Sequence, residues 1–192
     1  MIKTNIHSHY PHHLVNSVST SRSLFVADYT NKTKSKRGTE IFVAPPTDIS
    51  YFSLQNAVNL QIVGIPFDNR SFVCSAGNPL SQCECAVLPD TSDRESWILF
   101  AELKYSNIAD NNEGNLNNAM EQLLKTCDYY KTNGVFLDTN TCYLIASLPM
   151  QAEPFPNAFL DPSYLMDMKE KQNIVIRFQN SATIVDDKQI NV

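Results

Sequence analysis

Between Cys83 and Lys104 the chain runs apolar, then polar, then apolar again. Cys85-Ala86-Val87-Leu88 leads into the turn residues Pro89 to Glu95, and Trp97-Ile98-Leu99-Phe100-Ala101 follows. This pattern predicts a β-hairpin. After an asparagine-rich polar loop, Leu116, Ala119, Met120, Leu123, Leu124, Cys127 and Tyr130 recur at helical spacing. They predict an amphipathic helix from about Leu116 to Lys131, stopped by Asn133-Gly134. Thr141 to Leu148 reads as a buried strand ending at Pro149. The span from Trp97 to Leu148 has the length of a right-handed β-α-β crossover, so strands 97–104 and 141–148 should be parallel neighbours.

Upstream the pattern is less regular. Residues 1–20 are polar, carry all four histidines (His7, His9, His12, His13), and read as a loosely packed N-terminus. Ser23 to Tyr29 fits a strand or a short helix, and Glu40 to Ala44 resumes an apolar pattern before Pro45-Pro46. Thr47-Asp48 followed by Ile49, Tyr51, Phe52, Leu54 and Ala57 suggests a capped short helix. Val58 to Ile65 and Ser71 to Ser75 read as strands, which with the hairpin suggest an antiparallel meander. Downstream, residues 149–162 form a proline-punctuated loop with Phe155 and Phe159 as candidate anchors. Ser163 to Lys171 suggests a short helix, and 173–179 with 182–185 a last pair of strands.

The elements amount to an α+β chain. They predict one mixed central sheet with a hairpin, a β-α-β crossover and flanking helices, residues 149–192 extending the sheet. With 192 residues, 43% of them apolar, the chain has the size of a single domain with a sizeable core. A net charge of −5 creates no global attraction for nucleic acid or anionic membrane, so contact with a polyanion must be local. Lys32, Lys34, Lys36 and Arg37 form the only concentrated basic segment, readable as a phosphate-backbone contact or as a solvated loop. No window approaches the roughly 20 apolar residues of a membrane helix. The start has no secretory pattern, so the expectation is a cytoplasmic protein whose five cysteines are reduced thiols. Cys83-Glu84-Cys85 is at most half of a zinc site, since no second cysteine pair completes it. The histidines also lack a companion cysteine or carboxylate nearby.

The chemistry of the hairpin lies in its register. A turn centred on Asp93 makes cross-strand partners sum to 186, which sets Glu84 opposite Glu102 with Cβ atoms about 4.5–5.5 Å apart. Alternation puts Lys104 on the same face as Glu102, and Cys83 and Cys85 together on the face opposite Glu84. Like charges directly opposed destabilise a sheet, and apolar neighbours imply burial. A hard divalent cation between the carboxylates would resolve the conflict. The ordinary alternative is a solvated Glu84–Lys104 surface pair. Gln122 on the following helix reads either as a surface residue or as a group that orients Lys104 or bonds a phosphate.

Glu84, the Glu102-Leu103-Lys104 triplet on the next strand, and Gln122 on the crossover helix, with Tyr129 or Tyr130 beyond it, carry a resemblance. The segment Cys83 to Val87 together with Ala101 to Lys104 resembles the hairpin of the PD-(D/E)XK nuclease superfamily. The likeness covers roughly residues 84–148, within a nuclease-like core at about 55–148. It departs from the family in having Glu84 where aspartate is usual. Pro89-Asp90 spells the family's "PD", but Asp90 is about 20 Å along the strand from Glu102. Glu40, the only glutamate before Glu84, reads as strand rather than as the family's upstream helical acid.

The resemblance implies a restriction-endonuclease-like fold and metal-dependent hydrolysis of DNA, or less readily RNA. In that reading Glu84 and Glu102 hold Mg²⁺ or Mn²⁺, Lys104 stabilises the attacking water or transition-state charge, and Gln122 supports the site. The alternative it implies is a catalytically inactive nuclease-fold protein that binds or scaffolds protein partners.

Overall fold

The computed structural model describes residues 1–30 and 38–192. The candidate basic residues Lys32, Lys34, Lys36 and Arg37 lie outside the described residues. Among the described residues the fold is mixed α/β, with two mixed sheets and three α-helices.

The first sheet is six-stranded. It contains β1 (Val18–Thr20), β5 (Ile62–Pro66), β6 (Cys85–Pro89), β7 (Ile98–Leu103), β8 (Cys142–Ser147) and β9 (Ile174–Phe178), in that spatial order. β5, β6 and β7 form the expected antiparallel meander. β7 and β8 are parallel, as the crossover predicts, and β9 adds a second parallel pair. The second sheet has the order β11 (Ile190–Asn191), β10 (Ser181–Ile184), β4 (Phe52–Gln55), β2 (Leu24–Asp28) and β3 (Thr39–Phe42). The helices are α1 (Ile2–His9), α2 (Asn112–Thr132) and α3 (Pro162–Gln172).

Strand alternation sorts the core into two compartments. Ala86 and Leu88 of β6, Ile98 and Phe100 of β7, and Cys142 and Leu144 of β8 meet the helices, including Ile2, Ile6, Leu123 and Met168. The alternate residues Val87, Leu99, Ala101 and Ile145 meet Leu24, Val26, Phe52, Leu54 and Ile184 of the second sheet. The molecule is therefore layered helix, sheet, sheet, and β6, β7 and β8 are buried along their whole length.

Several sequence expectations are corrected by this packing. The N-terminus is not loose: Ile2 and Ile6 are completely buried beneath the helical layer. The Met1 amino group donates to the Ser92 carbonyl, and Lys3 pairs with Asp90. Two apolar residues four apart were enough to seat a helix whose remaining positions are polar. The helix expected over 47–57 is strand β4, because Phe52 and Leu54 both fill the inter-sheet core while the backbone pairs with β2 and β10. Residues 71–75 form a loop with one isolated bridge, Val73 to Pro79, and the Ser71 carbonyl accepts from His13. The strand expected from Val58 begins at Ile62, after a loop held by Asn56, whose side chain bonds Leu60 through both its nitrogen and its oxygen.

α2 starts a turn earlier than its apolar spacing suggests. Buried Asn112 exchanges side-chain hydrogen bonds with Gln151 at 2.8 and 2.7 Å, anchoring the extra turn. β9 and β10 are not a pair: β9 extends the first sheet, whereas β10 and β11 build the second. Phe155 is an anchor, but Phe159 is exposed.

The two sheets pack tightly at Gly64 on β5, where a Cβ would meet Leu24 Cδ1 at 3.0 Å and Ile41 Cδ1 at 3.1 Å. Gly64→Val should therefore lower stability by about 1–3 kcal/mol through overpacking. Ile6→Ala should cost about 2–5 kcal/mol, far more than a loose terminus permits. Urea unfolding monitored at Trp97 measures both.

Candidate functional site

The predicted site residues Glu102 and Lys104 lie at and just beyond the C-terminal end of β7. Its alternation sends Ile98 and Phe100 to the helical face, so Glu102 follows them there, and Lys104 meets Gln122 of α2. The Glu102 side chain has no exposed surface. Lys104 Nζ donates to Glu102 Oε1 at 2.6 Å and to Gln122 Oε1 at 2.5 Å. The Gln122 amide nitrogen donates to the Gln82 carbonyl at 2.8 Å, which orients its oxygen toward the lysine. Gln122 is therefore a contact of Lys104 and not a free surface residue.

The hairpin register is the one counted from the sequence: Cys85 pairs with Ala101, Ala86 with Phe100 and Val87 with Leu99. The direct opposition of Glu84 and Glu102 is corrected. At Glu84 the amide donates to the Ala101 carbonyl at 3.1 Å, although Ala101 is already the partner of Cys85. Two residues then face one, which is the geometry of a β-bulge. Cys83 falls on the helical side and Cys85 on the inter-sheet side, so the two thiols do not share a face. Among the described residues no group of three histidine, cysteine, aspartate or glutamate side chains is placed to hold a metal ion. Cys83 and Cys85 are buried free thiols, and His13 is buried between the Tyr130 hydroxyl and the Ser71 carbonyl.

The bulge swings Glu84 toward the second sheet. Its Oε2 accepts from the Thr39 hydroxyl on β3. Thr39 pairs directly with Asp28, the last residue of β2, and Asp28 is itself buried. Asp28 was missed in the sequence. The available signal was an acid closing the apolar run Leu24 to Ala27, as Glu102 closes the run before Lys104. Asp90 lies elsewhere, paired with Lys3, and Glu40 is on β3.

Burial dominates the electrostatics. It pushes Glu84 up to about 7, with Asp28 raising it further and the Thr39 hydrogen bond and Lys104 opposing. Burial pushes Glu102 up to about 8, with Glu84 next and Lys104 opposing. Glu102 Oε2 is buried without a hydrogen-bond partner. Among the described residues, Glu84 and Glu102 offer oxygen donors with a single ammonium beside them, the donor type that a hard divalent cation such as Mg²⁺ or Mn²⁺ takes.

Glu84 and Gln122 line an open cleft of about 490 Å³, together with Thr39, Phe67, Asp68 and Gln82. Thr30 and Gly38, on either side of residues 31–37, also line it. Glu102 lies deeper. No protein-family model, curated protein or solved structure matches this chain significantly. Among the described residues no helix is long and apolar enough to cross a membrane.

The raised carboxyls set a pH dependence for the metal-free protein. The folded state holds protons up to about pH 7–8 that the unfolded chain releases near its ordinary 4.5. This contribution is fully present below about 4.5 and is lost as pH rises through the folded values. Glu102→Gln should therefore melt higher than the parent at pH 9, with the difference vanishing by pH 4. Thermal unfolding across that range measures it.

Proposed function

We propose that the protein is a metal-dependent, nuclease-like hydrolase of phosphodiester bonds, with DNA favoured over RNA. One observation carries the reading: a buried carboxylate with an unpartnered oxygen, Glu102, stands one strand step from Lys104, with Glu84 within electrostatic reach. The order hairpin, Glu-x-Lys strand, helix with Gln122 and parallel strand supports the resemblance to the PD-(D/E)XK superfamily. So does the placement of Gln122 on the lysine.

Glu84 and Glu102 would hold the cation, which when bound supplies a Lewis acid for the phosphoryl oxygen and for the attacking water. The chain's own contribution is positional. Lys104 has three N–H donors; one goes to Glu102 and one to Gln122, which leaves the third for a substrate oxygen. Gln122 and the Gln82 carbonyl keep the ammonium in place, so charge developing on phosphate meets a preset donor. Glu84 at the cleft wall faces the side from which a backbone would enter.

A catalytically silent nuclease-fold binding protein is the second reading. It is favoured by the bulge at Glu84 and by the lack, among the described residues, of three converging ligands.

The test is Mg²⁺- or Mn²⁺-dependent cleavage of plasmid and single-stranded DNA and RNA. Glu102→Ala and Lys104→Ala should each slow cleavage at least about 100-fold. A double variant as active as the parent overturns the site assignment. A parent that cleaves nothing leaves the silent binding protein.

A further inference from the structure

We propose that Asp28 is the third carboxylate of a composite cation site, reaching from the second sheet to hold, through water, a hydrated divalent cation bound by Glu84 and Glu102. The inference rests on the metal reading above and deepens it.

Three observations place Asp28 there. It is the direct antiparallel partner of Thr39, and side chains of such partners leave the sheet on the same side, with Cβ atoms about 4.5–5.5 Å apart. The Thr39 hydroxyl bonds Glu84, so the side of the β2–β3 ladder that carries Asp28 is the side facing Glu84. Asp28 is also tied to the segment that follows β7: its amide donates to the side-chain hydroxyl of Tyr105, the residue after Lys104, at 3.1 Å. Its own Oδ1 accepts from the Thr30 amide at 2.7 Å, which fixes the carboxyl group.

The independent pointer to a ligand is Glu102 Oε2, which is fully buried and has no partner. Among the described residues, three acidic side chains then face one ammonium, that of Lys104, which is already shared between Glu102 and Gln122.

The role is water-mediated because, among the described residues, no three such side chains converge closely enough to bind one ion directly. Mg²⁺ suits that geometry, since it binds through one or two carboxylates and keeps several waters. The second sheet is thereby part of the site rather than an appendage. A residue that orients metal waters is a positioning residue.

The experiment uses the full chain and Mn²⁺ as the probe, with free Mn²⁺ followed by electron paramagnetic resonance and the melting temperature followed in parallel. The variants are Asp28→Asn, Asp28→Ser, Glu102→Gln and, as a charge-matched control on the adjoining strand, Glu40→Gln. The parent should bind Mn²⁺ and melt higher in its presence. Both Asp28 variants should bind about 10–100-fold more weakly, the range for loss of an outer-shell partner. Asp28→Asn keeps an acceptor for the Thr30 amide, and its metal-free melting temperature should not fall. Glu40→Gln should bind as the parent does. If either folded Asp28 variant binds Mn²⁺ as the parent does, or if Glu40→Gln weakens binding equally, Asp28 has no such role and Glu84 with Glu102 stands alone. If the parent itself binds no Mn²⁺, both the metal reading and this inference fall.

Discussion

A charged residue on a strand covered on both faces has to find its partners within the protein, because water is excluded and the charge is costly to bury alone. β7 is such a strand, with helices on one side and the second sheet on the other. Glu102 meets that constraint only halfway. One oxygen takes the Lys104 ammonium, and the other takes nothing. The unmet half organises the surroundings. Gln122 keeps the lysine in place, Glu84 and Asp28 add negative charge, and burial drives the glutamates toward their protonated forms.

The bulge at Glu84 converts a sheet feature into one that links the two sheets. In an unbroken ladder Glu84 would share the helical face with Glu102 beneath α2. The extra residue instead turns Glu84 toward Thr39 and the cleft, and moves Cys83 to the helical side, where its amide bonds the Thr126 hydroxyl at 2.8 Å. Bulges re-aim side chains in this way at the ends of pairing. The consequence is a carboxylate that stands at the cleft wall yet stays in the field of a deeper one.

The helical layer has a related economy. α1 is short and mostly polar, but Ile2 and Ile6 close the core beneath it, and His13 completes a ring cluster with Tyr10, Phe72 and Tyr130. Burial holds His13 neutral, down to about 4, and both of its ring nitrogens are engaged, one with the Tyr130 hydroxyl and one with the Ser71 carbonyl. The segment that composition reads as loosely packed closes one side of the helical layer.

Local sequence determined the parts whose signals are local. Hairpin register follows from counting residues around Asp93, α2 from apolar spacing, and the parallel β7–β8 pair from the length of the crossover. Glu102, Lys104 and Gln122 were legible because all three sit on those elements. What tertiary structure alone decided depends on contacts distant in sequence. β4 is a strand because β2 and β10 flank it, although its own residues have helical spacing. The second sheet gathers strands from residues 24 to 191, so no stretch of sequence announces it. Asp28 reaches the site only through that sheet, and a one-residue bulge cannot be counted from the two strands that flank it. Periodicity reports which face a residue occupies within its own element, but which element covers that face is settled by the packing of the whole chain.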